Sequence, residues 1–225
     1  MSPTRLFAGP DDSRLRRALC IVAHPDDIEF FCAGTVLLIA RRGVGVDFVL
    51  ATSGDKGTVD DHLTGTELAR LREAEQRAAA GILGAGGVRF LRHRDAELVD
   101  DLGLRRELVH EIRLSRPDVI FTFDPTPAHK QHPDHRAIGR AALDAAWPCA
   151  RDRLTYPEEG PPHKTAEAWL FGGPDGALRV DVSGVLETKI EARLEHRTQT
   201  GDPQRLRTRW RRIAREERFT QVDLR

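Results

Sequence analysis

Two histidine–proline–aspartate triplets are the residues of this sequence best suited to chemistry. The first lies in the stretch CIVAHPDDIEF, from Cys20 to Phe30, where an apolar run leads directly into one histidine and two adjacent aspartates. The second is HPDH, residues 132–135. Burying unpaired charge is costly, so a purely structural role seldom explains this crowding of imidazole and carboxylate groups at the end of an apolar run.

The residue types of both triplets are those that bind divalent metal ions. His24 and Asp27 lie three residues apart in a turn that enters a helix, close enough to hold one ion together. Two histidines and one carboxylate, with one coordination position left for water, are a catalytic zinc pattern. Structural zinc sites use closely spaced, cysteine-rich ligands, so the long stretch between His24 and His135 argues against a zinc finger. The alternative is that these histidines are core or capping residues, but two such triplets, each after an apolar strand, favour a metal site.

The elements that must position these residues alternate between strand and helix. This alternation predicts an α/β fold with a mostly parallel sheet and helices on both faces. Ligands of such sheets bind at the carboxyl ends of the strands, and polar clusters follow each of the first four predicted strands, so we expect the clusters to meet in one crevice. The predicted strands are residues 18–23, 46–54, 88–95, 117–125, 166–172 and 177–184, and the clusters are HPDD, SGDKGT, RHRD and DPTPAHKQHPDH.

Helical patterns fill most of the chain between and after the strands. We expect a helix over residues 66–84, with Thr66 as its N-cap and Gly84 ending it. The tail predicts a basic amphipathic helix over about 203–219, because its apolar residues recur on one face. Without repeats or low-complexity linkers, residues 1–225 are expected to form a single domain. The other predicted helices are residues 32–43, 104–116, 135–147 and 185–199, and the apolar face of the tail helix is formed by Leu206, Trp210 and Ile213.

Composition restricts the function classes. The 225 residues are 40% hydrophobic and 31% charged, an ordinary globular balance, and 35 basic residues match 35 acidic ones. No global field therefore favours nucleic acid or an anionic membrane. Three scattered cysteines do not make a disulfide framework and fit a reduced compartment. With no signal-peptide pattern and no apolar run long enough to span a membrane, we expect a cytoplasmic protein.

The stretches AHPDDIE and HPDH together resemble the PIG-L/LmbE-like family of zinc-dependent N-deacetylases. Three further segments, ATSGDKGT, LREAEQRAAAGILG and EHRTQ, are also similar to the family, so the resemblance covers roughly residues 18–199. It implies a Rossmann-like domain, one Zn²⁺, and removal of an N-acetyl group from an amino sugar or a related N-acylated small molecule. No GxGxxG follows the first predicted strand, so a dinucleotide is not expected.

The resemblance also assigns roles to single residues. His24, Asp27 and His135 are the implied zinc ligands, and Asp26 is the implied general base that takes a proton from the attacking water. His132 is expected to face the substrate carbonyl and, when protonated, to stabilise the oxyanion. Either Asp26 or His132 then protonates the leaving amine. The remaining implied roles are orientation of His132 by Asp134, sugar binding by Arg72 and Asp95, and support of the metal site by Glu29.

One departure from the family lies beside the second triplet. Several members carry a tyrosine there that helps to polarise the carbonyl, whereas this chain has AHKQ, and its single tyrosine is Tyr156. The oxyanion arrangement and the specific substrate therefore stay open. Weaker candidates for the rim of the site are Lys56, His129, Lys130, His163 and His196.

Three other functions compete with deacetylation. A zinc hydratase of the same fold, which adds water across a C=C bond, would keep the same metal ligands. A non-catalytic binding protein would be expected to have lost a ligand or the base, and all are present here. A nucleic-acid-binding role rests only on the basic tail, which lacks a reader motif and has few aromatic residues. The sequence leaves both a monomer and a homo-oligomer open.

Overall fold

The computed structural model describes residues 15–127, 131–173 and 176–225. Their apolar runs form the strands of one sheet, and their amphipathic segments form the helices that cover it. The strands are β1 (Arg17–Val22), β2 (Gly45–Thr52), β3 (Gly87–His93), β4 (Val119–Phe123), β5 (Glu167–Phe171), β6 (Leu178–Asp181) and β7 (Glu216–Asp223). The helices are α1 (Asp27–Phe31), α2 (Ala33–Ala40), α3 (Gly65–Leu83), α4 (Leu102–Ser115), α5 (Pro133–Ala146), α6 (Leu186–Leu194) and α7 (Pro203–Ile213).

In the described residues the sheet has seven strands, in the order β3-β2-β1-β4-β5-β7-β6. The first five strands in this order run parallel, and β7 pairs antiparallel with both β5 and β6. Strand β4 is buried along its whole length and β1 along all but its first residue, which explains their continuous apolar sequences. The predicted α/β fold with a mostly parallel sheet is thus confirmed.

The connections place the helices on both faces of the sheet. Helices α2, α3 and α6 pack on one another, while α4 packs against α5. From β1 the chain winds outward through β2 to β3 and then crosses back to β4 on the other side of β1. This reversal opens a crevice at the carboxyl ends of β1 and β4, where both HPD triplets begin. In the described part of the chain, none of the helices is both long enough and apolar enough to cross a membrane.

The start of α3 differs from the prediction. Thr64, not Thr66, is the N-cap: its hydroxyl accepts from the Glu67 N–H, and the Glu67 carboxylate accepts from the Thr64 N–H at 2.9 Å. This reciprocal pair is a capping box, and a glutamate three residues after a threonine is its sequence signature.

The tail helix is shorter than predicted. Helix α7 ends at Ile213, and the next segment is not its continuation but β7, which is inserted between β5 and β6. Trp210 is buried against α6, whereas Ile213 is 54% exposed, so only part of the predicted apolar face is used. Exposed and buried residues alternate in β7 with the two-residue period of a strand. The prediction of a helix over this part of the tail did not take this period into account.

A buried carboxylate joins β7 to the helices that follow the first triplet. Glu217 accepts hydrogen bonds from the backbone N–H groups of Gly34 and Thr35, both at 2.8 Å, and from the Thr35 hydroxyl at 2.6 Å. Lys189 of α6 lies 2.6 Å from the same carboxylate and neutralises it. The acidic group therefore caps the first turn of α2 and fixes the C-terminal strand against this helix.

Helix α5 approaches β4 unusually closely at Gly139. A Cβ at this position would collide with the Phe123 carbonyl oxygen, which belongs to the backbone and has little freedom to move. His135 lies one helical turn earlier, and its ring stacks on Phe123 with 3.7 Å between centroids. The absence of a side chain at Gly139 thus sets the height of His135 above the sheet.

We predict that Gly139→Ala destabilises the fold by ~1–3 kcal/mol, because the added methyl group overpacks α5 against β4. It should also weaken metal binding by displacing His135. Denaturant unfolding and zinc content measure the two effects. The matched control is Gly81→Ala in α3, where an added Cβ meets nothing within 4 Å and should stabilise by ~0.5–1 kcal/mol. Equal stability and zinc content in the two variants would contradict this account.

Candidate active site

The turn after β1 is closed by one of its own carboxylates. Asp27 Oδ2 accepts hydrogen bonds from the backbone N–H groups of Ala23, at 3.2 Å, and His24, at 2.7 Å. This leaves Asp27 Oδ1 facing His135 Nε2, 3.0 Å away. The local sequence HPDD therefore fixes the direction of the oxygen that meets the second triplet.

Three donor atoms from the two triplets surround a common point. His24 Nδ1 lies 3.2 Å from His135 Nε2 and 3.6 Å from the nearer Asp27 oxygen. Two ligands held 2.0–2.1 Å from a tetrahedral zinc ion are about 3.4 Å apart. His135 Nε2 thus lies 3.0 Å from Asp27 Oδ1 and 3.2 Å from His24 Nδ1, and one donor atom of each of the three residues lies within 4.8 Å of the other two, close enough for one such ion to be bound by two imidazoles and one carboxylate.

The charges around His24 require a cation. Its Nε2 lies 3.1 Å from oxygens of both Asp95 and Asp134. Burial alone would lower the pKa of His24, but hydrogen bonds to the surrounding carboxylates outweigh it and raise this pKa to about 12. Burial raises the pKa of Asp27, yet the neighbouring His135 and His24 hold it well below its usual range. A proton or a metal ion on the imidazole satisfies these carboxylates equally, and the ring is oriented so that Nε2 donates to them while Nδ1 is free for a metal.

Asp134 supports His24 more directly than His132. Its two oxygens accept from the backbone N–H groups of Ala96, at 2.7 Å, and Leu98, at 3.3 Å, and one of them contacts His24. The distance from Asp134 Oδ1 to His132 Nδ1 is 4.0 Å, too long for a hydrogen bond. The carboxylate expected to orient His132 therefore lies against His24 instead.

His132 is oriented by a backbone group. It is the N-cap of α5, where its Nδ1 accepts from the Asp134 N–H at 3.2 Å. In this tautomer Nε2 carries the proton, so the neutral ring is already a hydrogen-bond donor. Burial and the charge of His24 lower the pKa of His132, which favours this neutral form. With 38% of its side chain exposed, His132 can reach a substrate.

Asp26 stands beside the donor atoms in a strained backbone conformation. Its φ of 90° lies in the left-handed region, a conformation that costs a non-glycine residue ~1–3 kcal/mol. Its N–H donates to Gln76 Oε1 at 3.0 Å, and its two oxygens lie 3.7 Å from Arg72 and from Arg193. Burial and the charge of Asp27 raise the pKa of Asp26 to about 6, although both arginines oppose this. A carboxylate with such a pKa suits general-base catalysis near neutral pH.

The two residues assigned to the sugar are both buried. Arg72 is 4% exposed and donates to the Pro25 carbonyl at 2.7 Å and to the Gly54 carbonyl at 3.3 Å. A Cβ at Gly54 would collide with this guanidinium, so the glycine makes room for it. Asp95 is 7% exposed, and its carboxylate contacts His24. Arg72 therefore lies beside Asp26, and Asp95 lies against His24.

A cavity of about 630 Å³, lined mainly by charged and polar residues, lies beside the site without including the donor atoms. It opens between the loop after β2, the first turns of α3 and the end of β3. Asp55 joins it to the site, because one of its oxygens accepts from the Asp95 N–H at 2.9 Å. The lining residues include Lys56, which pairs with Glu97 at 2.7 Å.

Two of the weaker candidates do not lie at the rim. His163 contacts the Pro117 carbonyl at 2.7 Å, just before β4 begins, and so lies at the opposite edge of the sheet. His196 is fully buried beside Glu29. Sequence reasoning missed Gln76 and Arg193, although both lie in or next to the segments LREAEQR and EHRTQ, where polar residues interrupt buried helix faces. His129 and Lys130 fall outside the described residues.

Comparison with known proteins identifies the family of this chain. The family model described as GlcNAc-PI de-N-acetylase (PIG-L) matches residues 19–146. Diacetylchitobiose deacetylase of Thermococcus kodakarensis is 31% identical over 188 residues, which are 82% of this chain and 70% of that protein. The chain belongs to the PIG-L family.

Solved structures extend the likeness to the fold. N,N'-diacetylchitobiose deacetylase from Pyrococcus horikoshii superposes with a TM-score of 0.88 at 28% identity, covering 96% of this chain and 86% of that one. A 4-carboxy-2-hydroxymuconate hydratase from Pseudomonas putida superposes with a TM-score of 0.78, covering 94% and 98%, but at 20% identity this shows only a shared fold. The PIG-L family fold thus accommodates more than one chemistry.

For this PIG-L chain we predict that His24→Ala and His135→Ala abolish tight zinc binding, because each removes one of three donors. Asp134→Asn should retain zinc but bind it ~10–100-fold more weakly, because it loses the charge that orients His24. Zinc content and competition with a chelator measure these effects. Asp144→Asn, a change of the same kind on the far side of α5, is the control and should bind zinc normally. Stoichiometric zinc in both alanine variants would refute this ligand set.

Proposed function

We propose that this protein is a zinc-dependent N-deacetylase that removes the acetyl group from an amino sugar or a related N-acylated small molecule. The observation that carries the proposal is the meeting of His24, Asp27 and His135, whose donor atoms lie 3.0 and 3.2 Å from His135 Nε2, with Asp26 beside them and outside the set. The donors suit one metal ion, and the additional carboxylate suits a base. The names of the relatives, which are deacetylases of N-acetylglucosamine compounds, support the same reaction.

The residues of the site have different roles in amide hydrolysis. His24, Asp27 and His135 would hold a Zn²⁺ ion, which when bound would supply Lewis acidity that lowers the pKa of water and polarises a carbonyl. Asp26 accepts the proton of the attacking water. The Nε2–H of His132 donates to the oxyanion that develops, a contribution of ~3–4 kcal/mol for one donor. Asp26, now protonated, is placed to return the proton to the leaving amine.

The proposal also covers the residues that contact the substrate and the cellular compartment of the protein. We propose that Arg72 and Asp95 also contact sugar hydroxyls and that the polar cavity beside Asp95 takes the part of the substrate beyond the N-acetyl group. Polar groups matched to hydroxyls discriminate strongly, because a missing partner leaves buried donors and acceptors unpaired. Three unpaired cysteines are in keeping with work in the cytoplasm.

We predict that Asp26→Asn keeps one zinc per chain and loses ~10²–10⁴-fold in kcat, because the amide cannot accept the proton. The measurement is acetate or amine release from N-acetylglucosamine derivatives, with zinc content determined on the same samples. Asp144→Asn, the control used for zinc binding, removes a carboxylate outside both the donor set and the cavity and should leave kcat unchanged. Near-normal turnover in zinc-loaded Asp26→Asn would refute the base. Turnover of an unsaturated acid without acetate release from any amino sugar would favour the hydratase.

The sugar contact has its own test. If Arg72 and Asp95 bind hydroxyls, then Arg72→Lys and Asp95→Asn lower kcat/KM on an N-acetylglucosaminide more than on a simple N-acetyl amine. The loss common to both substrates measures the contacts of these residues with Asp26 and His24. Equal losses on the two substrates would show that neither residue binds the sugar.

A further inference from the structure

A layer of buried polar side chains lies beneath Asp26. Its members come from three helices and the segment after the last of them: Glu29 from α1, Gln76 from α3, Arg193 from α6, and His196 from the segment after α6. Glu29, Gln76 and His196 are fully buried, and Arg193 is 4% exposed. Buried polar groups cost stability unless they are well paired, so such a layer directly under the base needs an explanation.

One part of the layer fixes the backbone of Asp26. Its N–H donates to Gln76 Oε1, and Gln76 Nε2 donates to Glu29 Oε1 at 3.1 Å. The other Glu29 oxygen lies 3.1 Å from His196 Nε2. This chain of contacts holds the strained φ of Asp26 from below and links the turn after β1 to the segment that follows α6.

The other part faces the carboxylate. Arg193 Nη2 lies 3.7 Å from Asp26 Oδ2, while Arg72 Nη2 lies 3.7 Å from Oδ1. The Arg193 guanidinium is fixed by donation to Thr200 Oγ1 at 2.7 Å and to the Gln199 carbonyl at 3.0 Å. It also lies over the ring of Phe30, 4.8 Å from the centroid.

The distance of 3.7 Å separates this arrangement from an ordinary ion pair. It is too long for a hydrogen bond, so the guanidinium attracts the carboxylate without occupying the lone pairs that must accept a proton. Arg113, another buried arginine, is used differently: it donates to six backbone carbonyls of the segment 149–160. Arg193 instead directs one edge at Asp26, and its Nε has no hydrogen-bond partner in the described structure.

We propose that Arg193 is a positioning residue for the general base. Its positive charge attracts Asp26 Oδ2, while Arg72 attracts Oδ1, and the two guanidinium groups together fix the carboxylate. The inference rests on the proposed function, because it assumes that Asp26 is the base. A carboxylate displaced by about 1 Å is expected to lose up to ~10²-fold in rate, so removal of Arg193 should lower kcat without a matching change in KM.

The test is a double-mutant cycle between the two residues. Arg193→Met and Arg193→Gln remove the charge, Arg193→Lys keeps it, and each is combined with Asp26→Asn. Arg197→Met, a change at an exposed arginine in the segment after α6, is the control. For every variant kcat, KM, zinc content and the unfolding midpoint are measured.

We expect Arg193→Met and Arg193→Gln to lower kcat ~10–100-fold, with KM within about threefold and one zinc per chain. Arg193→Lys should recover part of the loss, and Arg197→Met should behave as wild type. With Asp26→Asn present, the neutral substitutions should cost less than about threefold, because the group that Arg193 positions is gone.

Two outcomes would overturn the positioning role. The first is a loss of kcat that is equal with and without Asp26→Asn, because a purely structural role would give this result. The second is an unchanged kcat in a neutral Arg193 variant that is folded and loaded with zinc. If both neutral variants fail to fold, the cycle with Arg193→Lys decides by the same criterion. Normal turnover in Asp26→Asn itself would refute the proposed base instead, and is read from that single variant.

Discussion

The structure of the site depends on the excess of negative charge around His24. Carboxylates of Asp27, Asp95 and Asp134 approach its ring from both sides. Such a cluster cannot stay buried without a positive charge at its centre, because the desolvated carboxylates would repel one another. A proton on the imidazole meets this need, and a metal ion on Nδ1 meets it while leaving a reactive position open. The need for a positive charge beside these carboxylates therefore favours the folded arrangement of the site when a cation is present, and it favours a bound metal ion at His24.

The surrounding strands and helices place these charged groups close together. Adjacent parallel strands β1 and β4 end at the same edge and bring the two triplets together. Gly139 lets α5 lie close enough to β4 for His135 to stack on Phe123, and Glu217 fixes the C-terminal strand to α2. Each device uses backbone approach or a backbone hydrogen bond, which positions ligands more rigidly than long side chains do.

Local patterns were enough to predict the fold class and the residues that meet. The apolar runs and their polar ends identified the parallel strands, and the three-residue spacing of His24 and Asp27 identified these two as neighbours. The family resemblance added His135 to the group. The predictions that were wrong concern features that depend on contacts between residues distant in sequence. The segment 216–223 becomes a strand because β5 and β6 offer it partners. Asp134 turns toward His24 because the loop after β3 supplies two N–H donors that hold it there. Arg193 could not be found from spacing, because its place beneath Asp26 depends on how α6 lies across α1 and α3.

The most direct test of the account is the X-ray absorption spectrum of the zinc-loaded protein at the zinc edge. The account predicts about four nitrogen and oxygen neighbours at ~2.0–2.2 Å, of which two have the scattering pattern of imidazole. It also predicts that His24→Ala removes one of these imidazoles or the metal itself. Sulfur neighbours at ~2.3 Å would place the ion on cysteines and contradict the proposed centre, as would zinc bound without any imidazole.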